Sequence, residues 1–143
     1  ASGGAAMISA AVAAAGSIEI TGVTILTSLA EEDLSEIGFQ PDTKKRAIQL
    51  AKLAVDNGAK AIVCSPLEIE GIRAVIPKDI SIITPGIRPK NLSNSDDQKR
   101  IMDPSSAIAA GANYLVIGRP ITGLWSDGSE AMKKMAAEIR ESI

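Results

Sequence analysis

The sequence has no histidine and a single cysteine, Cys64, among its 143 residues. A lone cysteine excludes an internal disulfide and a cysteine cluster for zinc, and the missing histidine removes the commonest metal ligand and the usual base at neutral pH. Because no histidine is present to activate the thiol as a nucleophile, we interpret Cys64 as a small strand residue. We therefore expect no metal site, and any acid–base chemistry would fall to Lys, Asp or Glu.

Aromatic side chains and excess positive charge are also scarce. Phe39, Tyr114 and Trp125 are the only aromatic residues, and the formal net charge is −2. Nucleic-acid binding usually needs a basic surface and stacking aromatics, so we expect no nucleic-acid partner. No apolar run approaches the ~20 residues of a membrane helix, and the opening stretch lacks the basic region of a signal peptide. The expectation is a cytoplasmic protein without membrane association.

Small aliphatic residues are abundant, and they occur in alternating strand-like and helix-like segments. β-branched apolar runs predict four strands, near residues 18–27, 60–64, 80–84 and 114–118. Helical spacing, capping residues and terminal glycines predict helices at 5–15, 30–37, 42–57, 67–76, 104–110 and 128–143. This alternation predicts parallel strands joined by right-handed crossovers, with ligands at the carboxyl ends of the strands.

The number of strand-and-helix units predicts an α/β fold that is half of a TIM (βα)₈ barrel. Four units in 143 residues average about 36 residues each, and eight such units would make a closed barrel of ~250 residues. We expect residues 1–143 to form a single half-barrel domain. Four parallel strands alone leave two unpaired sheet edges, so we expect either a homo-oligomer or a missing N-terminal half to cover them.

Two of the predicted strands end in similar combinations of glycine, arginine and proline. Residues 84–89 read TPGIRP, and residues 118–120 read GRP. Glycine lets the backbone approach an anion closely, and an arginine guanidinium can donate two hydrogen bonds to phosphate oxygens. Barrels of this kind commonly bind phosphate after their last two strands, so we predict a phosphorylated small molecule beside Arg88 and Arg119. The alternative for either arginine is a surface salt bridge.

A long polar segment separates these two strand ends. Residues 87–103 follow neither a helical nor a strand period. A compact domain usually keeps so long a loop for a functional reason. We predict a mobile loop at 87–103 that lies next to the bound phosphate.

Longer motifs give the chain a resemblance to a known family. The motifs are TPGIRP at 84–89, DQKRIMDPSSAIAAGANYLVIGRPIT at 97–122, VTILTS at 23–28, VCSP at 63–66 and ASGG at 1–4. Together they resemble the C-terminal half of orotidine 5′-phosphate decarboxylase, and the resemblance covers essentially the whole chain. It implies the C-terminal half of a TIM barrel from a dimeric enzyme of pyrimidine synthesis. That enzyme converts orotidine 5′-phosphate to UMP and CO₂ without metal or organic cofactor.

The resemblance also implies a phosphate-binding role for four residues. Arg119 and the backbone of Gly118 would hold the phosphate, and Arg88 would lie at the base of the mobile loop. Gln98 would reach from that loop and close over the nucleotide. Without the family context, Gln98 would be interpreted as an ordinary solvated loop residue.

Three further residues are implied at the pyrimidine end of the ligand. Thr27 matches the family's hydroxyl beside the base, and Ser28 is the next candidate. Pro85 would form a wall of the base pocket. The alternative for Thr27 and Ser28 is helix capping after a strand.

The family's catalytic groups have no counterpart in this chain. Family members place an Asp and Lys array around a D-x-K-x-x-D motif, in which a fixed cation stabilises the carbanion left by CO₂ and donates a proton. That motif is not in this chain. The superficial match DTK at 42–44 follows Pro41, so we interpret Asp42 as a helix N-cap and Lys44 as a solvated side chain. We assign no catalytic residue and expect the chain alone to be inactive.

Two other interpretations stay open. The chain would also suit half of a related barrel such as a hexulose-phosphate synthase, although the runs DQKRIM and IGRPIT argue against that. A noncatalytic half-barrel that self-associates and binds phosphate weakly would cover the exposed sheet edges without performing chemistry.

Overall fold

The computed structural model describes residues 1–36, 38, 42–89 and 100–143. Within these ranges strands and helices alternate along the chain. The strands are β1 (Thr21–Val23), β2 (Ala61–Val63), β3 (Ser81–Thr84) and β4 (Tyr114–Leu115). The α-helices are α1 (Gly4–Ala14), α2 (Glu31–Glu36), α3 (Thr43–Asp56), α4 (Ile69–Arg73), α5 (Pro104–Ala109), α6 (Arg119–Thr122) and α7 (Ser129–Glu141). Short 3₁₀ turns lie at Pro66–Glu68 and Trp125–Asp127.

The four strands form one parallel sheet in the order β1-β2-β3-β4. Gly22 pairs with Ile62, Ile62 pairs with Ile82, and Ile83 pairs with Tyr114. Each strand therefore lies beside the strand that precedes it in the chain, with helices between them, as in half of a (βα)₈ barrel. The predicted fold class is confirmed.

The strands are shorter than the apolar runs that predicted them. Strand β1 spans three residues, whereas the predicted segment ran from 18 to 27. Beyond it, Thr24 still donates both its backbone N–H and its hydroxyl to the Val63 carbonyl at 3.0 Å, and Leu29 then closes a turn onto the Leu26 carbonyl. The last part of the apolar run is thus a loop, and it carries Thr27 and Ser28 to the edge of the sheet.

The region after β4 also differs from the prediction. The sequence analysis assigned no element to residues 119–127, and α6 and the Trp125–Asp127 turn lie there. Helix α6 begins at Arg119 with Pro120 in its first turn, a position where the missing N–H of proline costs nothing. Four residues are too few to show a helical period, so this helix gives no pattern in the sequence.

The core lies between the sheet and the helices that cover it. Its fully buried members are mostly isoleucines of the strands and of α4 and alanines of α3: Ile62, Ile82, Ile69, Ile72, Ala47, Ala51 and Ala54. A Cβ added to Gly22 would lie 2.6 Å from the Cβ of Ala54, so α3 packs directly on β1. Each isoleucine that is buried completely contributes roughly 1.5–3 kcal/mol. Small residues in α3 therefore bring the helix close enough to hold the sheet in place.

The start of α3 supports the interpretation of the DTK segment. The Asp42 side chain accepts a hydrogen bond from the Lys45 backbone N–H at 2.9 Å, which is the geometry of an N-cap. Lys44 is exposed. The N-cap prediction for Asp42 is confirmed, while Pro41 lies outside the described residues. Across the described ranges, no helix has the length and apolar character needed to cross a membrane.

Candidate functional site at the carboxyl edge of the sheet

The predicted arginines follow two neighbouring strands. Arg88 comes four residues after the end of β3, and Arg119 comes four residues after the end of β4. Thr84 pairs with Leu115, and the Val116 N–H donates to the Thr84 carbonyl at 2.9 Å. Because the two strands are parallel and adjacent, both arginines lie beyond the same edge of the sheet. This edge, at the carboxyl ends of the strands, is where α/β proteins bind ligands.

The loops after β1, β2 and β3 meet at Gly86. Its φ is +79°, a backbone conformation that favours glycine. A Cβ at this position would lie 2.7 Å from the Arg100 carbonyl oxygen, 3.5 Å from Pro66 Cδ and 3.6 Å from Thr27 Cγ2. Only glycine therefore fits here, both for its backbone angle and for the space around it. This close approach places Thr27, which follows β1, beside the turn that follows β3.

The two ends of the segment that carries the predicted mobile loop are held together. Ile87 and Met102 form a parallel bridge, in which the Arg88 N–H donates to the Met102 carbonyl at 3.0 Å. The Met102 N–H donates to the Gly86 carbonyl at 3.2 Å. Gln98 and the rest of 90–99 lie outside the described residues, so the mobility of the loop and the role of Gln98 stay predictions.

The predicted phosphate-side residues differ in their exposure. Arg88 is buried, and its Nη1 donates to the Ile87 carbonyl at 2.8 Å, so part of its guanidinium is engaged by its own loop. Arg119 and Gly118 are exposed. A Cβ on Gly118 would meet nothing within 4 Å, so its backbone is open to approach. The exposed arginine and the open glycine backbone lie after β4, and the buried arginine lies after β3.

The predicted pyrimidine-side residues lie deeper in the fold. Thr27 is only 7% exposed, and Ser28 and Pro85 are half-buried. Among the described residues the Thr27 hydroxyl has no hydrogen-bond partner. Helix capping, the alternative interpretation, would require such a bond to a backbone N–H. The hydroxyl of this largely buried residue has no described partner, and it is suited to bind a polar group of a ligand.

A buried ion pair joins the same loops, and the sequence analysis did not identify it. Arg100 Nη1 pairs with Glu68 Oε1, and their side chains are 12% and 2% exposed. The other carboxylate oxygen of Glu68 accepts the Ser65 N–H at 3.1 Å in a capping box. Arg100 Nη2 donates to the Leu26 carbonyl at 2.7 Å. One guanidinium thus connects the loop after β1 with the turn after β2.

The surroundings of Glu68 act on its pKa in opposite directions. Burial, the largest effect, raises the pKa of the carboxyl group, while the charge of Arg100, the Ser65 N–H and the charge of Lys44 lower it, and the net direction is upward. Both carboxylate oxygens are engaged. Glu68 is therefore a poor candidate for a free acid or base, and its described contacts are structural.

Cys64 lies just after β2 and is buried. Burial, and then the negative charge of Glu68, raise the pKa of its thiol to about 12. Such a thiol carries almost no thiolate at neutral pH, which fits its interpretation as a small strand residue. Within 1–36, 38, 42–89 and 100–143, no three His, Cys, Asp or Glu side chains form a group that could hold a metal ion.

A cavity of about 580 Å³ opens beside the buried ion pair. It lies between the start of α2, the start of α3 and the turn after β2, and Glu68 and Arg100 contribute to its wall together with Lys44. The residues that line this cavity include none of Thr27, Arg88 and Arg119, so the cavity is separate from the predicted ligand residues. Those residues and Gly118 supply guanidinium donors, an exposed glycine backbone and a hydroxyl without a described partner. The arginines, the Gly118 backbone and the Thr27 hydroxyl can bind and orient an anion with a polar ring. The charged lining of the cavity is a different set, Lys44, Glu31 and Glu32 with the Glu68–Arg100 pair.

Comparisons with known proteins agree with this arrangement. The sequence profile of the "Orotidine 5′-phosphate decarboxylase / HUMPS family" matches residues 1–135. Relatives named orotidine 5′-phosphate decarboxylase from Thermobifida fusca and Paramagnetospirillum magneticum are each 45% identical, over 99% and 97% of this chain. The crystal structure of orotidine 5′-phosphate decarboxylase from Lactobacillus acidophilus superimposes with a TM-score of 0.73, at 31% identity, over 96% of the chain.

The matched proteins are longer than this chain. The alignments cover 60% and 62% of the two relatives and 59% of the crystallised chain. The shared part includes the strand ends built around Thr27, Gly86, Arg88 and Arg119. By its sequence from residue 1 to 135 and by the half-barrel it forms, the chain belongs to the orotidine 5′-phosphate decarboxylase / HUMPS family.

Proposed function

We propose that this chain is the C-terminal portion of an orotidine 5′-phosphate decarboxylase and that it binds the phosphate and the pyrimidine of the substrate. The reaction would convert orotidine 5′-phosphate to UMP and CO₂ in pyrimidine synthesis. The observation that carries the proposal is the convergence of the loops after β1, β2 and β3 at Gly86, beside the arginine-bearing loop after β4. Two guanidiniums and a nearly buried hydroxyl on one edge suit an anionic nucleotide with a polar base.

The phosphate end of the ligand would lie against Arg119 and the open backbone of Gly118. Arg119 is exposed, and an arginine guanidinium can donate two hydrogen bonds to phosphate oxygens. Arg88 would support the base of the loop from its buried position, and Gln98 would contact the nucleotide from the loop. Such remote phosphate contacts lower a transition state only when reacting groups are held nearby.

The pyrimidine would lie against Thr27, with Ser28 and Pro85 beside it. Thr27 is the deepest of the three, and its hydroxyl can donate to or accept from a base edge. Pro85 precedes the Gly86 turn, which keeps it close to the loop of Thr27. The loops after β1 and β3 would thus contact the base, and the loop after β4 would contact the phosphate.

The proposal includes that the chain alone is inactive, because it lacks the D-x-K-x-x-D array. The matched relatives are longer, and the part outside the alignment would supply that array. The test is a decarboxylation assay of the chain alone and of the chain mixed with the N-terminal half of the Thermobifida fusca relative. We expect activity only in the mixture. Turnover by the lone chain would contradict the assignment of no catalytic residue.

Ligand binding is tested by calorimetric titration with UMP, with and without that N-terminal half. We expect Arg119→Ala to weaken UMP binding about tenfold, which corresponds to ~1.4 kcal/mol. Arg140→Ala is the matched control, because it removes an exposed arginine of the same charge from α7. Equal losses in the two variants would show that the phosphate site is misplaced. Tighter binding of a hexulose phosphate than of UMP would favour the other branch of the family.

A second candidate function, self-association of a noncatalytic half-barrel, is favoured by the exposed apolar side chains near β4. Tyr114 and Trp125 are 61% and 76% exposed, and Val116 is also exposed. In the described sheet, β1 and β4 are the outer strands, and each pairs with one neighbour. A second copy or the N-terminal half would cover this surface. Sedimentation at micromolar concentration should reveal a dimer or larger species, and a compact monomer would argue against self-association.

A further inference from the structure

Arg100 makes contacts with three strand-end loops at once. Its Nη1 pairs with Glu68 in the turn after β2, and its Nη2 donates to the Leu26 carbonyl in the loop after β1. Its own carbonyl lies so close to Gly86 that a Cβ there would be 2.7 Å away. The residue therefore links the loops after β1, β2 and β3 through its side chain and its backbone.

The contact with Leu26 acts directly on the position of Thr27. The Leu26 carbonyl belongs to the peptide group that also contains the Thr27 nitrogen. A hydrogen bond of 2.7 Å from a charged donor fixes the orientation of that peptide group. The Thr27 methyl group lies beside the Gly86 turn, since a Cβ at Gly86 would be 3.6 Å from Thr27 Cγ2.

Stability alone does not account for an ion pair in this position. Transferring a carboxylate and a guanidinium from water into the protein interior costs free energy, and apolar residues of similar volume often stabilise a fold as well or better. The arrangement is also incomplete as a structural fastening, since Arg100 Nε is buried without a hydrogen-bond partner among the described residues. A pair of this kind is better explained by the geometry that it imposes on its neighbours.

We propose that the Glu68–Arg100 ion pair is a positioning element for the pyrimidine end of the site, because it fixes the Leu26–Thr27 peptide beside Gly86. Neither residue touches the ligand in this proposal. The inference rests on the proposed function, since it concerns the same site. It predicts that damage to the pair reduces recognition of the base and leaves recognition of the phosphate unchanged.

The test compares two ligands on four proteins, each in the presence of the N-terminal half of the Thermobifida fusca relative. The ligands are UMP and ribose 5-phosphate, which shares the sugar and phosphate but has no base. The variants are Arg100→Lys, which keeps the charge but loses the forked donor, and Glu68→Gln. The control is Arg73→Lys, at an arginine that donates to the Ile80 and Gly111 carbonyls, which precede β3 and β4 at the opposite edge of the sheet. We expect the first two variants to weaken UMP binding about tenfold and to change ribose 5-phosphate binding less than twofold. The control should change neither.

A double-variant measurement separates positioning from general loss of structure. In a Thr27→Val background, where the hydroxyl is absent, Arg100→Lys should weaken UMP binding less than twofold further, because both changes act through the same group. Additive losses, or equal losses for UMP and ribose 5-phosphate, would overturn the positioning role even if the wild-type protein binds UMP. Failure of the wild-type protein to bind UMP at all would overturn the proposed function as well.

Discussion

Two arginines fasten the two edges of this sheet, and they do so with different partners. At the amino edge, Arg73 of α4 donates to the Gly111 carbonyl at 3.0 Å, to the Ile80 carbonyl at 2.7 Å and to the Asn113 side-chain oxygen. At the carboxyl edge, Arg100 pairs with a buried carboxylate and donates to a carbonyl. Both join segments that lie far apart in sequence, but only Arg100 has a buried charge as its partner.

The two arginines therefore have different roles: Arg73 joins segments of the fold, and Arg100 also neutralises a buried charge. Neutral acceptors around Arg73 need only hydrogen bonds, and each of these contributes about 1 kcal/mol net. The Glu68 carboxylate needs a cation, because a buried charge without a partner is strongly destabilising. The acceptors at the amino edge should therefore tolerate the loss of Arg73, whereas the Glu68 carboxylate at the carboxyl edge, where the candidate site lies, depends on Arg100 for its charge partner. The following predictions test that contrast in order of expected effect.

The largest effect is expected for Arg100→Ala. This change leaves the buried Glu68 carboxylate without its cation, so the free energy of unfolding should fall by about 3 kcal/mol at pH 7. Urea denaturation followed by circular dichroism gives the value. Adding Glu68→Leu to the same protein removes the stranded charge and should recover part of the loss. A loss below ~1 kcal/mol for the single variant would contradict a stabilising contact between the two charges.

A smaller effect is expected for Arg73→Ala. Three hydrogen bonds to neutral acceptors are lost, and water can replace the exposed one to Asn113, so the free energy of unfolding should fall by the equivalent of two bonds, about 2 kcal/mol. The affinity for UMP should be unchanged, because all three bonds lie at the amino edge. Denaturation and calorimetric titration of the same preparation measure both quantities. A loss of UMP affinity without a loss of stability would show that the two edges are not independent.

A change within the sheet should have a still smaller effect. The Thr84 hydroxyl donates to the Cys64 carbonyl at 2.7 Å, and both groups are buried. Thr84→Val keeps the shape of the side chain and removes this one bond, so the free energy of unfolding should fall by about 1 kcal/mol. Thr21→Val, at an exposed position of β1, is the matched control and should be close to neutral. A larger loss of stability in Thr21→Val than in Thr84→Val would mean that the change in β-propensity, and not the lost hydrogen bond, determines the free energy of unfolding.

The smallest effect is the pH dependence that Glu68 confers. Because burial raises the pKa of its carboxyl group above the ordinary value of 4.5, the unfolded chain releases this proton at lower pH than the folded chain does. The contribution of Glu68 to stability is therefore complete below pH 4.5 and is lost as the pH rises through the folded pKa. Compared with Glu68→Gln, the wild-type protein should lose relative stability as the pH rises from 4.5. A relative gain would mean that Arg100 lowers this pKa more than burial raises it.

Most of the fold could be predicted from local patterns. Apolar runs and capping residues such as Asp42 identified the alternation of strands and helices, because those signals extend over neighbouring residues. The short helix at Arg119 was missed because four residues show no period. Strand ends were also misplaced, since an apolar run continues into a buried loop, as it does at Thr27, without a change in composition.

The placement of the candidate site residues could be predicted in part, for a related reason. Arg88 and Arg119 follow strands, so their common edge follows from parallel topology. Glu68 and Arg100 are 32 residues apart, and no periodic signal connects them. Ser65 and Glu68 form the S-x-x-E spacing of a capping box, which could have marked Glu68 as buried beside a strand end. Its cationic partner could be found only from three-dimensional proximity.

The bridge between Ile87 and Met102 should tolerate changes in the number of residues that separate these two anchors. The anchors are held by backbone hydrogen bonds on either side, and these do not depend on the number of intervening residues. Each doubling of a flexible connection costs only ~0.6 kcal/mol in closure entropy. We therefore expect that a reporter peptide or a protease site can be inserted between residues 89 and 100 without displacing either anchor. This interval would then be a suitable insertion point for engineered variants.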